Sequence, residues 1–154
     1  MNKINWKRLI ISLLIPLAVG TISGLISMPF MDYGELIQPP LAPPGWLFPV
    51  VWSLLYTLMG ISFYLILETQ NYDKDGAVVV YFLQLIVNGL WSIFFFVFKW
   101  RLFSSLWLLL LIALIITMII RFYKINKTAG LLQIPYLLWC LFALYLNIGI
   151  YLLN

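Results

Sequence analysis

Trp52, Asn88, Trp91, Ser92, Trp139 and Asn147 are the side chains of this sequence best suited to hold a ligand, and none of them does acid–base work. They sit in three apolar stretches, where polar and aromatic residues recur at three- and four-residue steps and so share one helical face. Pro49, Trp52, Ser53, Tyr56 and Gly60 make the first stripe. Tyr81, Gln84, Asn88, Trp91, Ser92 and Phe95 make the second, and Tyr136, Trp139, Cys140, Ala143 and Asn147 the third. Amides, hydroxyls and indoles of this kind suit a flat, mostly apolar ligand held by stacking and a few hydrogen bonds. The competing reading is helix–helix glue, since Asn, Gln and Ser commonly bridge membrane helices. Indoles are large for a tight seam, so the set Trp52, Asn88, Trp91 and Trp139 is expected to surround a pocket.

Other chemistries are excluded by what the stretches lack. None holds Asp, Glu, Lys, Arg or His, which argues against an ion-coupled or proton-coupled carrier. The chain has no His and a single Cys, Cys140, so no metal site, hydrolase triad or internal disulfide can be assembled, and no resident cofactor is expected.

The elements that must position these residues follow from the solvent. Of 154 residues, 64% are hydrophobic and 9% charged, too few charges to cover a soluble domain. Charges cluster at 3–8, 32–35, 68–75, 99–101 and 121–127. The intervals between the clusters are continuously apolar, which predicts helices rather than alternating barrel strands. Spans are placed at about 9–31, 46–67, 76–98, 102–121 and 128–152, each close to the ~20 residues a bilayer requires. The expected fold is all-α, a five-transmembrane-helix bundle forming a single domain over 1–154. The first span is too long for a signal-peptide core and is expected to be retained. With the N-terminus in the cytoplasm, Lys3, Lys7, Arg8, Lys74, Arg121, Lys124 and Lys127 lie inside, against Lys99 and Arg101 outside. The first loop and the C-terminus then face outward across the cell membrane. The net charge of +4 is too dispersed for a nucleic-acid partner. The fourth span, nearly pure aliphatic from Leu106 to Ile116, reads as lipid-facing scaffold, and Trp6, Trp100 and Trp107 as interfacial belt residues.

The first loop is unusual, with Pro39, Pro40, Pro43, Pro44 and Pro49 crowded together. It reads either as a solvated polyproline connector or, as expected here, as a stiff lid that folds Leu41, Trp46, Leu47 and Phe48 over the bundle mouth. Gly20 and Gly24 form a small-xxx-small pair that suits either a homodimer contact or packing within the bundle.

Pro39 to Trp46 followed by Phe48, Trp52, Tyr56 and Gly60 resembles the signature of the translocator protein family, also called tryptophan-rich sensory protein or peripheral benzodiazepine receptor. Gln84, Asn88, Trp91-Ser92 and Phe94-Phe95 resemble its third-helix motif, and Pro135-Tyr136, Trp139, Phe142-Ala143 and Leu146-Asn147 its fifth. The resemblance spans about residues 10–154. It implies a five-helix bundle, usually dimeric, with a pocket under the first loop that binds porphyrins and benzodiazepine- or isoquinoline-carboxamide-type ligands. Matching positions are Tyr33, Pro43, Trp46, Trp52, Asn88, Trp91, Ser92, Trp139, Ala143 and Asn147. The family's C-terminal cholesterol motif is not matched, because no Lys or Arg follows Tyr145 or Tyr151. Without His, metal-free porphyrin stacked on indoles is a more natural ligand than coordinated haem. The expected function is porphyrin binding of sensor or scavenger type. The alternatives are light- and oxygen-dependent porphyrin degradation, with Trp52 and Trp139 as electron donors, and passive transport of porphyrin or sterol.

Overall fold

The structure is a computed structural model describing residues 3–154. Helix α1 (Trp6–Ser27) begins where the Asn5 side chain accepts a hydrogen bond from the Arg8 backbone N–H at 3.1 Å. It tightens into a 3₁₀ turn, Met28–Phe30, around Pro29, whose ring nitrogen offers no donor to continue the ladder. A strap follows, leading to α2 (Leu47–Glu68) and α3 (Lys74–Ser92). Helix α3 widens into a π turn, Ile93–Val97, in which the Phe98 N–H reaches the Ile93 carbonyl at 3.0 Å. Helices α4 (Arg101–Ile125), α5 (Lys127–Leu131) and α6 (Ile134–Leu153) complete the chain, α6 opening with Pro135 in its first turn.

Among the described residues, five stretches are long and apolar enough to cross a bilayer: Trp6–Phe30, Leu47–Glu68, Lys74–Val97, Arg101–Ile125 and Lys127–Leu153. No strand occurs among the described residues. The expected five-helix membrane bundle is therefore the observed one, with the last span broken between α5 and α6.

Small residues set how closely the helices approach. A Cβ at Gly60 would lie 2.7 Å from the Leu13 Cα and 2.8 Å from the Ser12 carbonyl oxygen, so only glycine lets α2 cross α1 there. Pro16, inside α1, has no N–H to give the Ser12 carbonyl, and that carbonyl faces the Gly60 crossing instead.

Helix α4 corrects the reading of the fourth span as lipid-facing scaffold. It packs against α3, α5 and α6 and buries Ser104, Ser105, Leu108, Leu111, Ile112, Ile115, Met118 and Phe122. An aliphatic sequence is equally at home against lipid and against other helices, so composition alone did not separate the two. Trp107 is likewise no simple belt residue, since its indole N–H donates to the Val87 carbonyl at 2.8 Å. Trp6 and Trp100 remain exposed.

Candidate ligand cavity

A cavity of about 650 Å³ opens between α1, α2, α3 and α6 beneath the strap. That volume lies within the roughly 300–1,000 Å³ usual for small-molecule sites. Helix α2 contributes Phe48, Trp52 and Tyr56, and α3 contributes Asn88, Trp91 and Ser92, with Phe95 and Phe96 from the π turn. Ala143, Leu146 and Asn147 come from α6, Leu17 to Gly24 from one face of α1, and Tyr33, Gly34, Gln38, Pro44 and Gly45 from the strap.

The polar groups around this space are engaged with one another. The Tyr56 hydroxyl donates to the Asn88 side-chain carbonyl at 2.6 Å, the Asn88 amide donates to the Tyr136 hydroxyl at 2.7 Å, and that hydroxyl donates to Gln84 at 2.7 Å. Nearer the strap, the Trp91 indole N–H donates to Asn147 at 3.1 Å, and the Asn147 amide donates to the Ser105 hydroxyl at 2.6 Å and to the Ser104 hydroxyl and Arg101 carbonyl at 3.0 Å. Ser23 and Ser27 of α1 join Ser92 of α3 at 2.5 and 3.0 Å, and the Ser23 hydroxyl also reaches the Gly89 carbonyl at 2.6 Å. Glue and pocket are thus one structure. The amides and hydroxyls hold the helices apart at fixed spacing, and the ring faces line the space so formed. Trp52 stacks on Tyr56 at 5.4 Å and Trp91 on Phe95 at 5.4 Å, which fixes both indoles.

The π turn supports this wall from behind. Arg101 lies 4.3 Å from the Phe95 ring centroid and binds Asp32 at 2.7 Å, while Lys99, held at a positive φ of 57°, reaches the same carboxylate at 3.4 Å. Burial pushes the Asp32 carboxyl up, but the hydrogen bond and charge of Arg101, with Lys99, outweigh it and leave the group below its ordinary value. Tyr33 beside it is pushed up by burial, and its hydroxyl donates to the Pro43 carbonyl at 2.9 Å.

Residues 12–153 match the sequence profile of the TspO/MBR family. The chain belongs to the TspO/MBR family. A tryptophan-rich protein TspO of Archaeoglobus fulgidus is 37% identical over 97% of this chain and 99% of its own. The tryptophan-rich sensory protein of Cereibacter sphaeroides is 31% identical over 81% of this chain and 78% of its own. The sheep translocator protein, from Ovis aries, is 32% identical over 77% and 72%. With its five apolar helices, this TspO/MBR chain is a multi-pass membrane protein.

Of the positions matched to the family, Tyr33, Trp52, Asn88, Trp91, Ser92, Ala143 and Asn147 border the cavity, whereas Pro43, Trp46 and Trp139 do not. Pro43 acts through its carbonyl, which holds Tyr33. Trp46 is 68% exposed and Leu41 87% exposed, so the strap borders the cavity with Met31, Tyr33, Gly34, Gln38, Pro44 and Gly45 rather than with those two apolar side chains. Leu41 occupies a tight turn in the left-handed region, at φ 67°. Trp139 stands behind Phe48, ring to ring at 5.8 Å, with its buried indole N–H unpartnered. The α1 wall was read only as a small-residue motif. Its signal was Ser23 and Ser27, four apart on the Gly20 and Gly24 face, and a Cβ at Gly20 would strike the Tyr56 ring, so this close approach lies within the chain.

Proposed function

We propose that this protein binds tetrapyrroles within the membrane, as a sensor or scavenger, and accepts benzodiazepine- and isoquinoline-carboxamide-type ligands at the same place. The observation that carries the reading is the cavity wall itself: fixed indole faces of Trp52 and Trp91 beside phenyl rings, with the neighbouring amides already hydrogen-bonded to one another. Such a wall selects by shape and stacking, which favours a planar macrocycle over a polar metabolite. Tyr33, Trp52, Asn88, Trp91, Ser92, Ala143 and Asn147 form the binding set. The protein sits in the cell membrane with its N-terminus cytoplasmic and its first loop and C-terminus outside, and it works as a homodimer. The relatives named for sensing and for translocation support a ligand-responsive role.

Titration of the reconstituted protein with protoporphyrin tests this: tryptophan fluorescence is quenched saturably, and Trp52→Phe weakens binding. Quenching that never saturates, or that ignores Trp52→Phe, overturns the reading. A photochemical role has one observation in its favour, the Trp52 indole at the cavity wall, from which an excited porphyrin would draw an electron. It requires a product formed only with light, oxygen and Trp52.

A further inference from the structure

The roof of the cavity is fastened along two edges. On the α6 side, the Asn154 side chain pairs with the Ile37 backbone at 3.0 and 2.9 Å, and the Tyr145 hydroxyl donates to the Pro40 carbonyl at 2.6 Å. Pro39 is buried against Gly149, where a Cβ would come within 2.7 Å of its ring. On the α4 side, Asp32 is clasped by Arg101 at 2.7 Å. Hydrogen bonds inside the strap, from the Tyr33 hydroxyl to the Pro43 carbonyl and from the Gln38 amide to the Tyr33 carbonyl, brace it internally.

The wall between the strap-proximal halves of α1 and α2 has no such fastening. There the hydrogen bonds of α1 run to α3, through Ser23 and Ser27. Strap-ward of the Gly20–Tyr56 contact, α1 carries Thr21 and Gly24, and α2 carries Ser53 and Pro49, one and two turns before Tyr56 on its face. All four border the cavity, and Thr21, Pro49 and Ser53 are exposed. A Cβ at Gly24 would meet nothing within 4 Å, so open space reaches the α1 backbone. The gap closes one turn deeper, where Gly20 meets the Tyr56 ring. Thr21 lies nine residues from the end of the span at Phe30, or about 14 Å at 1.5 Å per residue, which places the gap at acyl-chain depth in the strap-side leaflet.

We propose that the ligand enters and leaves sideways, from the bilayer, through the gap framed by Thr21 and Gly24 of α1 and Pro49 and Ser53 of α2, while the strap stays closed. The proposal rests on the ligand-binding reading above and adds the route and the ligand class: flat, apolar molecules already dissolved among acyl chains. Small residues frame the gap, so no large side chain has to move, and the ligand never exchanges lipid for water on its way in.

Two reversible locks test it in phosphatidylcholine nanodiscs, with protoporphyrin binding followed by stopped-flow tryptophan quenching. Thr21→Cys with Ser53→Cys, joined by a bifunctional methanethiosulfonate that reductant removes, ties the two helices across the gap. Pro39→Cys with Gly149→Cys, oxidised to a disulfide, ties the strap down. Tying the gap is expected to slow association and release together by about tenfold or more, with reductant restoring both, and the strap disulfide to leave both within about twofold. Slowing by the strap disulfide, or unchanged rates with the gap tied, overturns the lateral route while the binding reading stands. Absence of saturable binding before either lock is closed overturns the binding reading, and the route with it.

Discussion

Asn147 is the point at which three helices are tied together, and Asn147→Leu, close to isosteric, removes the knot without opening a large hole. Its amide nitrogen faces three acceptors, the Ser104 and Ser105 hydroxyls and the Arg101 carbonyl, but carries two protons, so it supplies two full bonds shared among three sites. Its oxygen accepts a third bond, from Trp91. Three bonds at the average of about 0.6 kcal/mol measured between membrane helices come to about 2 kcal/mol. Stranding the Trp91 N–H adds about 1 kcal/mol or more where it finds no new partner. The two serines lose little, because both hydroxyls also donate to the Arg101 carbonyl, at 2.8 and 3.0 Å. The expected destabilisation is therefore about 2–3 kcal/mol, read from unfolding in mixed micelles titrated with sodium dodecyl sulfate. Trp91 loses its tether to α6, so protoporphyrin binding weakens as well. Ser105→Ala costs about 0.6 kcal/mol alone and much less in the Asn147→Leu background, because the bond is already gone. A loss below about 0.5 kcal/mol for Asn147→Leu, or strict additivity with Ser105→Ala, refutes the hub.

Gly60→Val drives a side chain into the α1 backbone and destabilises the bundle by about 1–3 kcal/mol in the same assay, whereas Gly24→Ala, with open space around it, is neutral or slightly stabilising. Gly149→Ala presses on Pro39 and loosens the strap, which deuterium exchange at the Ile37 amide registers as lost protection. Asp32 has a lowered value in the folded protein, so its contribution to stability is complete above the ordinary value of 3.8 and disappears as pH falls through the lowered one. Asp32→Asn flattens that acid limb of the stability profile, and an unchanged limb assigns it to another carboxylate. Trp139→Phe removes a buried N–H that has no partner and lies outside the cavity. Its stability is therefore unchanged or higher, and protoporphyrin affinity falls less than with Trp52→Phe.

What the sequence disclosed and what it withheld divide along a physical line. Charges are so costly in lipid that their positions marked the span ends, and the periodic Trp, Asn and Ser residues declared which faces of three helices look inward. Direction along those faces was harder to read. Trp139 shares a stripe with Ala143 and Asn147, yet at the strap end the cavity is bounded by Phe48, which takes the inner position and leaves Trp139 behind it. A helical stripe spans a wide arc, and which side of the arc meets a cavity depends on the neighbour's side chains. Helix α4 was misread for the complementary reason. In water an aliphatic surface must be buried, so apolarity reports burial. In a bilayer apolarity is the default on both sides of the helix, and the residues that report burial are the sparse hydroxyls, here Ser104 and Ser105 at the start of an otherwise featureless helix. The same logic applied to α1 makes Ser23 and Ser27 its inward markers and leaves Thr21 on the neighbouring side of the helix, at the edge of the gap toward α2. In this bundle, polar residues within the spans mark where helices are tied, and small ones mark where they cross closely or leave a way in.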